Sequence, residues 1–190
     1  MKDTFEKHQR RSIRLKEYDY SNEGAYFVTI VSHNRMNIFG SIHHGRMNLN
    51  QTGKIVENTW LEIPSHYPYV QTDAYVIVPN HIHGILIFES VGATHEVSRI
   101  QRQGSPLHAM PQPIKRQPLD VIVGSFKSAA TKHIHRVGYL TQKTIWQRNY
   151  YEHIVRDDED YQRIVEYFEM NPSNWELDNE NLEKRNNGHP

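Results

Sequence analysis

The chain has 190 residues, with 22 Lys and Arg against 22 Asp and Glu, 37% hydrophobic residues and no cysteine. This length suits one domain with a single core, and no apolar run approaches the ~20 residues that would cross a bilayer. The missing cysteines exclude disulfides, thiol catalysis and cysteine-based zinc sites. They also agree with a cytoplasmic protein, as do the charges within residues 1–16, where a signal peptide needs an apolar stretch.

Hydrophobic periodicity predicts the four strands of a sheet, a small hairpin and three helices. β-Branched and aromatic residues favour the strands, and apolar residues three and four apart favour the helices. Asn50 or Thr52 caps the first helix, Gly138 ends the second, and Asp157 caps the third reciprocally with Asp160. In chain order we predict a strand at 26–31, a hairpin within 37–48, a helix ending near Pro64, strands at 74–78 and 81–88, a helix at 119–138, a polar strand at 144–154 and a helix from Asp157 to Pro172.

The order of these elements is that of the split βαβ arrangement. We therefore predict an α+β fold, a ferredoxin-like antiparallel sheet with helices on one face and an added C-terminal helix. Residues 90–118 are rich in Pro, Gln and Arg and lack an apolar period, which predicts an exposed insertion. The predicted division is a basic N-terminal arm at 1–20, one domain at 21–175 and a polar tail at 176–190.

The zero net charge hides an uneven distribution along the chain. Nine basic residues and one acid lie between Arg99 and Arg148, whereas ten acids and two basic residues lie between Tyr150 and Glu180. The N-terminal arm is also basic. Two basic segments are typical of a face that binds a polyanion, although charge alone fits solvated helix surfaces equally well. We predict phosphate contacts from Arg11, Arg14, Lys127, Lys132, Arg136 and Arg148.

His81 and His83 are the sharpest candidates for chemistry. Alternate residues of a strand point to one face, so the two imidazoles stand side by side, about 6.6 Å apart at the backbone, and can hold a cation. Ile82 and Leu86 alternate into the core, which leaves the histidines off the core face. The alternative is two exposed histidines in a chain that has 13. Two other families that use paired histidines do not fit. Histidine-triad hydrolases need a third histidine at position 85, and two-histidine phosphoesterases need Thr or Ser there, but the residue is Ile85.

Tyr167 and Asn171 form the second candidate pair, because residues four apart lie on one face of a helix. A tyrosine hydroxyl has an ordinary pKa near 10, so it needs an electrophile activated by another group, such as a divalent metal on a phosphodiester. Asn171 offers an amide oxygen to such a metal. The alternative is that Tyr167 simply packs, as most of the 11 tyrosines do.

Three ordered motifs, together with the N-terminal part of the chain, resemble the single-tyrosine HUH transposases, most closely their REP-associated tyrosine transposase branch. The resemblance extends from Arg11 to about Trp175. The motifs are YVIVPNHIHGI at 75–85, WQRNYYEHIVR at 146–156 and EYFEMNP at 166–172, preceded by RSIRL at 11–15, YDY at 18–20 and GAYFVT at 24–29.

The resemblance implies a ferredoxin-like enzyme that binds hairpin-bearing single-stranded DNA, such as REP-like palindromes, and cleaves and rejoins it through a 5′-phosphotyrosine with Mg²⁺ or Mn²⁺. By position, His81 and His83 match the metal-binding pair, Tyr167 the nucleophile on the added C-terminal helix, and Asn171 a further metal ligand. A bacterial, nucleoid-associated protein, monomeric or homodimeric, is also implied.

Two other functions stay open. Ferredoxin-like sheets also serve as non-catalytic single-stranded nucleic-acid-binding modules, which stack bases on aromatic side chains of the central strands. The strands around Phe27 and Gly84 lack the glycine and aromatic signature of those modules. A domesticated, inactive relative of the transposases is the other alternative. The fold cannot decide between them, whereas metal at the two histidines can.

Overall fold

The structure is a computed structural model that describes residues 19–90, 116–178 and 180–181. Residues 1–18 of the predicted arm, which include Arg11 and Arg14, residues 91–115 of the predicted insertion and most of the predicted tail lie outside the described residues. In chain order the elements are β1 (Gly24–Val31), β2 (Gly40–His43), β3 (Arg46–Leu49), α1 (Gln51–Leu61), α2 (Ile63–His66), β4 (Val70–Val78), β5 (His81–Phe88), α3 (Leu119–Val137), β6 (Tyr151–Val155) and α4 (Asp158–Met170), with short 3₁₀ turns at His33–Arg35 and Trp175–Leu177.

The main sheet is fully antiparallel and has the strand order β4, β5, β1, β6, while β2 and β3 pair separately as a hairpin. With α1 and α3 as the crossovers, this is the ferredoxin-like topology. The predicted α+β fold with an added C-terminal helix is confirmed. No helix among the described residues is long and apolar enough to span a membrane.

Capping residues set the helix boundaries much as predicted. The Asn50 side chain accepts a hydrogen bond from the backbone N–H of Gly53 at 2.9 Å, and Gly138 ends α3 with a φ of 71°. Asp157 accepts from the N–H of Asp160 at 2.8 Å. The expected reciprocal bond is absent, because the Asp160 carboxylate accepts instead from the N–H of Arg156 and lies 2.7 Å from Nε2 of His153.

Two strands differ from their predicted limits. β4 begins at Val70 rather than at residue 74, because a register irregularity between Thr72 and Tyr75 breaks the alternation that the prediction relied on. β6 begins at Tyr151 rather than at residue 144. Within the preceding segment only an isolated bridge joins Ser32 to Trp146, whose ring is buried in the core.

One face of the sheet carries the apolar core. Tyr26, Val28, Ile30, Ile82 and Leu86 alternate toward α1 and α3 and are fully buried. The Trp60 ring of α1 lies over β5 and meets Phe126 of α3 edge to face at 5.4 Å between centroids. Glycine at position 84 makes room for that ring, because a Cβ there would lie 2.3 Å from Cζ2 of Trp60.

The opposite face is covered by α4 and by the chain that follows it. Phe168 is the one α4 residue that is buried, and it packs on the Phe27 ring at 5.7 Å. Polar contacts add to this packing: the Tyr161 hydroxyl donates to Asp73 of β4 at 2.7 Å. The helix therefore docks with little apolar burial and several hydrogen bonds.

Candidate active site

His81 and His83 lie at the start of the central strand β5, directly after the two-residue turn of Pro79 and Asn80. Both imidazoles point to the α4 face, as the alternation predicts, and their Nε2 atoms approach to 2.7 Å. They are 0% and 4% exposed, so the alternative of two exposed histidines is wrong. Phe168 stacks near His83 at 6.0 Å, and Trp175 covers His81 at 6.0 Å.

Burial controls the charge of this pair. Desolvation lowers the pKa of His81 to about 4, against the opposing influence of the Asp178 and Glu180 carboxylates. Desolvation, and then the neighbouring His81, lower the pKa of His83 well below its ordinary value. Both rings are therefore neutral at pH 7, the form in which an imidazole nitrogen binds a metal.

Tyr167 reaches the pair from α4. Its hydroxyl oxygen lies 3.1 Å from Nε2 of His83, and its ring is 42% exposed. Partial burial, followed by the charge of Asp178, raises the pKa of Tyr167 to about 12, although a hydrogen bond with Asn171 acts in the other direction. The phenol is therefore protonated at neutral pH, and its oxygen lies beside His83.

Asn171 follows the last residue of α4 and is 3% exposed. Its Nδ2 donates to Asp178 at 3.3 Å. Its Oδ1 is buried and makes no hydrogen bond to any described residue. An unpaired buried amide oxygen costs free energy, so this atom has a lone pair that is available for a cation.

Asp178 belongs to the site, although the sequence analysis did not select it and assigned it to the tail. Its carboxylate lies 3.9 Å from Nε2 of His81, and ligand atoms of His81, His83 and Asp178 all fall within 4.8 Å of one another. Glu180, also assigned to the tail, is buried and pairs with Arg35 at 2.5 Å. No spacing rule links residue 178 to the histidines, and the only sequence signal was its place in an acidic run.

These donors fit a divalent cation. Two neutral imidazole nitrogens lie 2.7 Å apart, a hydrogen-bond distance, with the Asp178 carboxylate close by, and both nitrogens can instead ligate one cation. The unpaired Asn171 oxygen adds a further hard donor. Nitrogen and oxygen donors without sulfur suit Mg²⁺, Mn²⁺ and similar ions.

The structure describes four of the predicted phosphate-binding residues, Lys127, Lys132, Arg136 and Arg148. Nζ of Lys127 donates to the backbone carbonyls of Gln147, Arg148 and Asn149 at 3.0–3.3 Å, and burial lowers its pKa to about 8. Lys127 thus holds the segment before β6 against α3. Lys132, Arg136 and Arg148 are exposed, and the first two belong to α3, on the sheet face opposite the histidines.

No family model matches the chain. A Haemophilus influenzae protein described as uncharacterized is 42% identical over 172 residues, which cover 90% of this chain and 92% of that relative. The chain therefore belongs to the same protein family as this relative.

Two further similarities carry a functional name. A putative REP-associated tyrosine transposase of Haemophilus influenzae is 24% identical over 154 residues, 81% of this chain and 73% of that protein. A solved structure of a REP-associated tyrosine transposase bound to a REP hairpin superimposes with a TM-score of 0.55 at 17% identity, covering 85% of this chain and 73% of that one. This chain and that transposase share a fold.

Proposed function

We propose that this protein is a metal-dependent single-stranded DNA endonuclease and strand transferase that cleaves hairpin-bearing DNA through a 5′-phosphotyrosine at Tyr167. One observation carries the proposal. The Tyr167 hydroxyl lies 3.1 Å from Nε2 of a buried histidine that is 84 positions away in the sequence and whose Nε2 faces a second histidine. The candidate nucleophile thus lies beside the candidate metal-ligand pair, and the transposase-like motifs and fold support the same function.

The residues divide the chemistry among them. His81, His83, Asp178 and Asn171 would hold the divalent ion, which when bound stabilises negative charge on the phosphodiester and on the leaving oxygen. Tyr167 supplies the nucleophilic oxygen: its O–P bond forms as the phosphorus–O3′ bond breaks, and the phenol gives up its proton. The 3′ oxygen leaves and is protonated as a hydroxyl. Attack by a 3′ hydroxyl on the phosphotyrosine reverses these steps and rejoins DNA.

The proposal is tested with a labelled DNA hairpin that carries a single-stranded flank, incubated with the protein and Mg²⁺ or Mn²⁺. We expect a covalent protein–DNA species that survives denaturation, and none in excess chelator. Tyr161→Phe is the matched control, because Tyr161 lies on the same helix as Tyr167 but its hydroxyl donates to Asp73 of β4, and this variant should keep the adduct. Full cleavage in chelator, or an adduct peptide that maps to another tyrosine, would contradict the mechanism. Hairpin binding without any adduct would favour the non-catalytic module or the inactive relative.

We further propose that Lys132, Arg136 and Arg148, with Arg11 and Arg14 of the arm, bind DNA phosphates. Because such contacts release counterions, affinity should fall steeply with salt. Charge removal at Arg148 or Lys132 should weaken binding and reduce the salt slope by about one for each contact. If DNA affinity depended on salt equally in wild type and in these variants, the substituted residues would not contact DNA phosphates. Lys127 is omitted, since its ammonium already donates to three carbonyls.

A further inference from the structure

We propose that Asn80 is a positioning residue that keeps the proton of His81 on Nδ1 and so aims the Nε2 lone pair of His81 at the cation, while the Thr29 hydroxyl lets His83 change its tautomer. This inference rests on the proposed function only in taking the two histidines as metal ligands. The geometry that carries it is the chain of hydrogen bonds from Asn80 through both rings to Thr29.

The hydrogen bonds of the Asn80 amide settle its orientation. One side of the amide lies 3.1 Å from the backbone carbonyl of Arg35 and 2.7 Å from that of Glu180. Carbonyl oxygens only accept, so this side is the NH₂ group, and both of its hydrogens are used. The amide oxygen therefore faces the other way, 2.7 Å from Nδ1 of His81.

This orientation fixes the tautomer of His81. An amide oxygen cannot donate, so Nδ1 of His81 must carry the hydrogen that joins them. A neutral imidazole has one N–H, which leaves a lone pair on Nε2. The second ring nitrogen of a metal-bound histidine is generally held by such an acceptor. Asn80 is completely buried, so no solvent molecule offers His81 an alternative partner on this side.

Thr29 treats His83 differently, because a hydroxyl can both donate and accept. Its Oγ1 lies 2.8 Å from Nδ1 of His83. Without a cation, a hydrogen on Nε2 of His83 can bridge the 2.7 Å gap to the His81 lone pair while Thr29 donates to Nδ1. With a cation, the hydrogen must lie on Nδ1 and Thr29 must accept. The tautomer of His81 is thus fixed, whereas the hydrogen of His83 can change nitrogen when a cation binds, without any movement of the backbone.

The arrangement also ties the C-terminal segment to the metal pair. The same amide that orients His81 donates to the backbone of Glu180, whose own N–H donates to Oδ1 of Asp178 at 2.6 Å. Asn80 thereby joins one histidine to the segment that brings the carboxylate. The Asn80 amide oxygen accepts from the His81 ring, and its nitrogen donates to the C-terminal segment at Glu180. A substitution can therefore remove one contact and keep the other.

The first measurement is the ¹⁵N NMR spectrum of histidine-labelled full-length protein, without DNA. In metal-free wild type we expect hydrogen on Nδ1 of His81 and on Nε2 of His83, and on Nδ1 of both rings after Mg²⁺ is added. Hydrogen on Nε2 of metal-free His81 would overturn the proposal. This readout needs no variant to fold and no catalytic activity.

The second measurement is Mn²⁺ affinity, by calorimetry or electron paramagnetic resonance, in Asn80→Ala, Asn80→Asp and the exposed control Asn58→Ala. Loss of such an outer partner weakens metal binding ~10- to 100-fold, which we expect for Asn80→Ala, together with mixed His81 tautomers. Asn80→Asp keeps an acceptor for Nδ1, so it should keep the Nδ1 hydrogen even where it loses stability. Asn58→Ala should match wild type.

Failure of this proposal is distinguishable from failure of the proposed function. Asn80→Ala with wild-type Mn²⁺ affinity and an unchanged His81 tautomer would overturn the positioning role, even if wild type forms the DNA adduct. Conversely, a wild type that forms no adduct refutes the nuclease function, while the NMR spectrum still decides the tautomer.

Discussion

The two faces of the central sheet are built in opposite ways. Toward α1 and α3 the side chains are apolar and pack around Trp60, and the one glycine of β5 leaves room for that ring. Toward α4 the same strands present two histidines and Thr29, and the covering helix is held largely by polar contacts. The side chains that form the apolar core and those of the candidate site thus lie on opposite faces of one sheet. Substitutions around Trp60 on the first face should change the free energy of unfolding, and substitution of Tyr167 on the second face should change activity.

Trp60→Ala should have the largest effect on stability. The ring is fully buried, and its Nε1 makes no hydrogen bond to any residue that the structure describes, so we expect the loss to be one of packing. We expect ~3–5 kcal/mol lower free energy of unfolding by urea denaturation. The folded fraction should keep its Mn²⁺ affinity. A variant with the stability of wild type would contradict this prediction. A folded variant with weaker Mn²⁺ affinity would show that the two faces of the sheet are not independent.

Gly84→Ala should cost ~1–3 kcal/mol through overpacking, since its Cβ would lie 2.3 Å from one Trp60 ring atom and 3.0 Å from two others. Gly124→Ala in α3 is the matched control. A Cβ there meets nothing within 4 Å, so this exchange should stabilise the helix by ~0.5–1 kcal/mol. Equal effects of the two exchanges would show that Trp60 yields to the added methyl group.

Tyr161→Phe tests how α4 is held on the other face. The exchange removes the 2.7 Å hydrogen bond to the Asp73 carboxylate but keeps the ring, so we expect a loss of ~1 kcal/mol in thermal or urea unfolding. Adduct formation should persist. Loss of the adduct without loss of stability would mean that this contact aims Tyr167 as well as docking the helix.

Tyr167→Phe should have the smallest effect on stability and the most complete effect on activity. The residue is 42% exposed and loses only the contacts of its hydroxyl with His83 and Asn171, so we expect a change below ~0.5 kcal/mol in unfolding. The variant should bind the hairpin DNA and Mn²⁺ as wild type does and form no adduct. Residual adduct in this variant would place the nucleophile elsewhere and end the proposed division between the faces.

Much of the fold could be predicted because local patterns determine it. The alternation of Ile82 and Leu86 with the histidines placed both imidazoles on one face. Asn50, Asp157 and Gly138 marked helix ends where the structure has them. These signals depend on residues within one turn or one strand, which is the range over which sequence spacing determines geometry.

The remaining features depend on contacts between distant segments. The histidines were expected off the core face, yet α4 and Trp175 bury them, because a sheet pattern shows the two faces and not what covers each. Asp178 reaches the site through the turn after Pro172, and Asn80 acts through the carbonyls of Arg35 and Glu180. The sequence predicted a phosphate contact from Lys127, because it does not show that three backbone carbonyls accept from the Lys127 ammonium.

The order of the site along the chain has a consequence for synthesis on the ribosome. The sheet and both of its crossover helices are complete by residue 155, whereas Tyr167, Asn171 and Asp178 follow. A polypeptide whose translation stops before α4 has the two histidines but neither the phenol that we propose attacks DNA nor the carboxylate beside it. Under the proposed function, such an unfinished chain forms no phosphotyrosine, and cleavage requires translation to continue beyond Asp178.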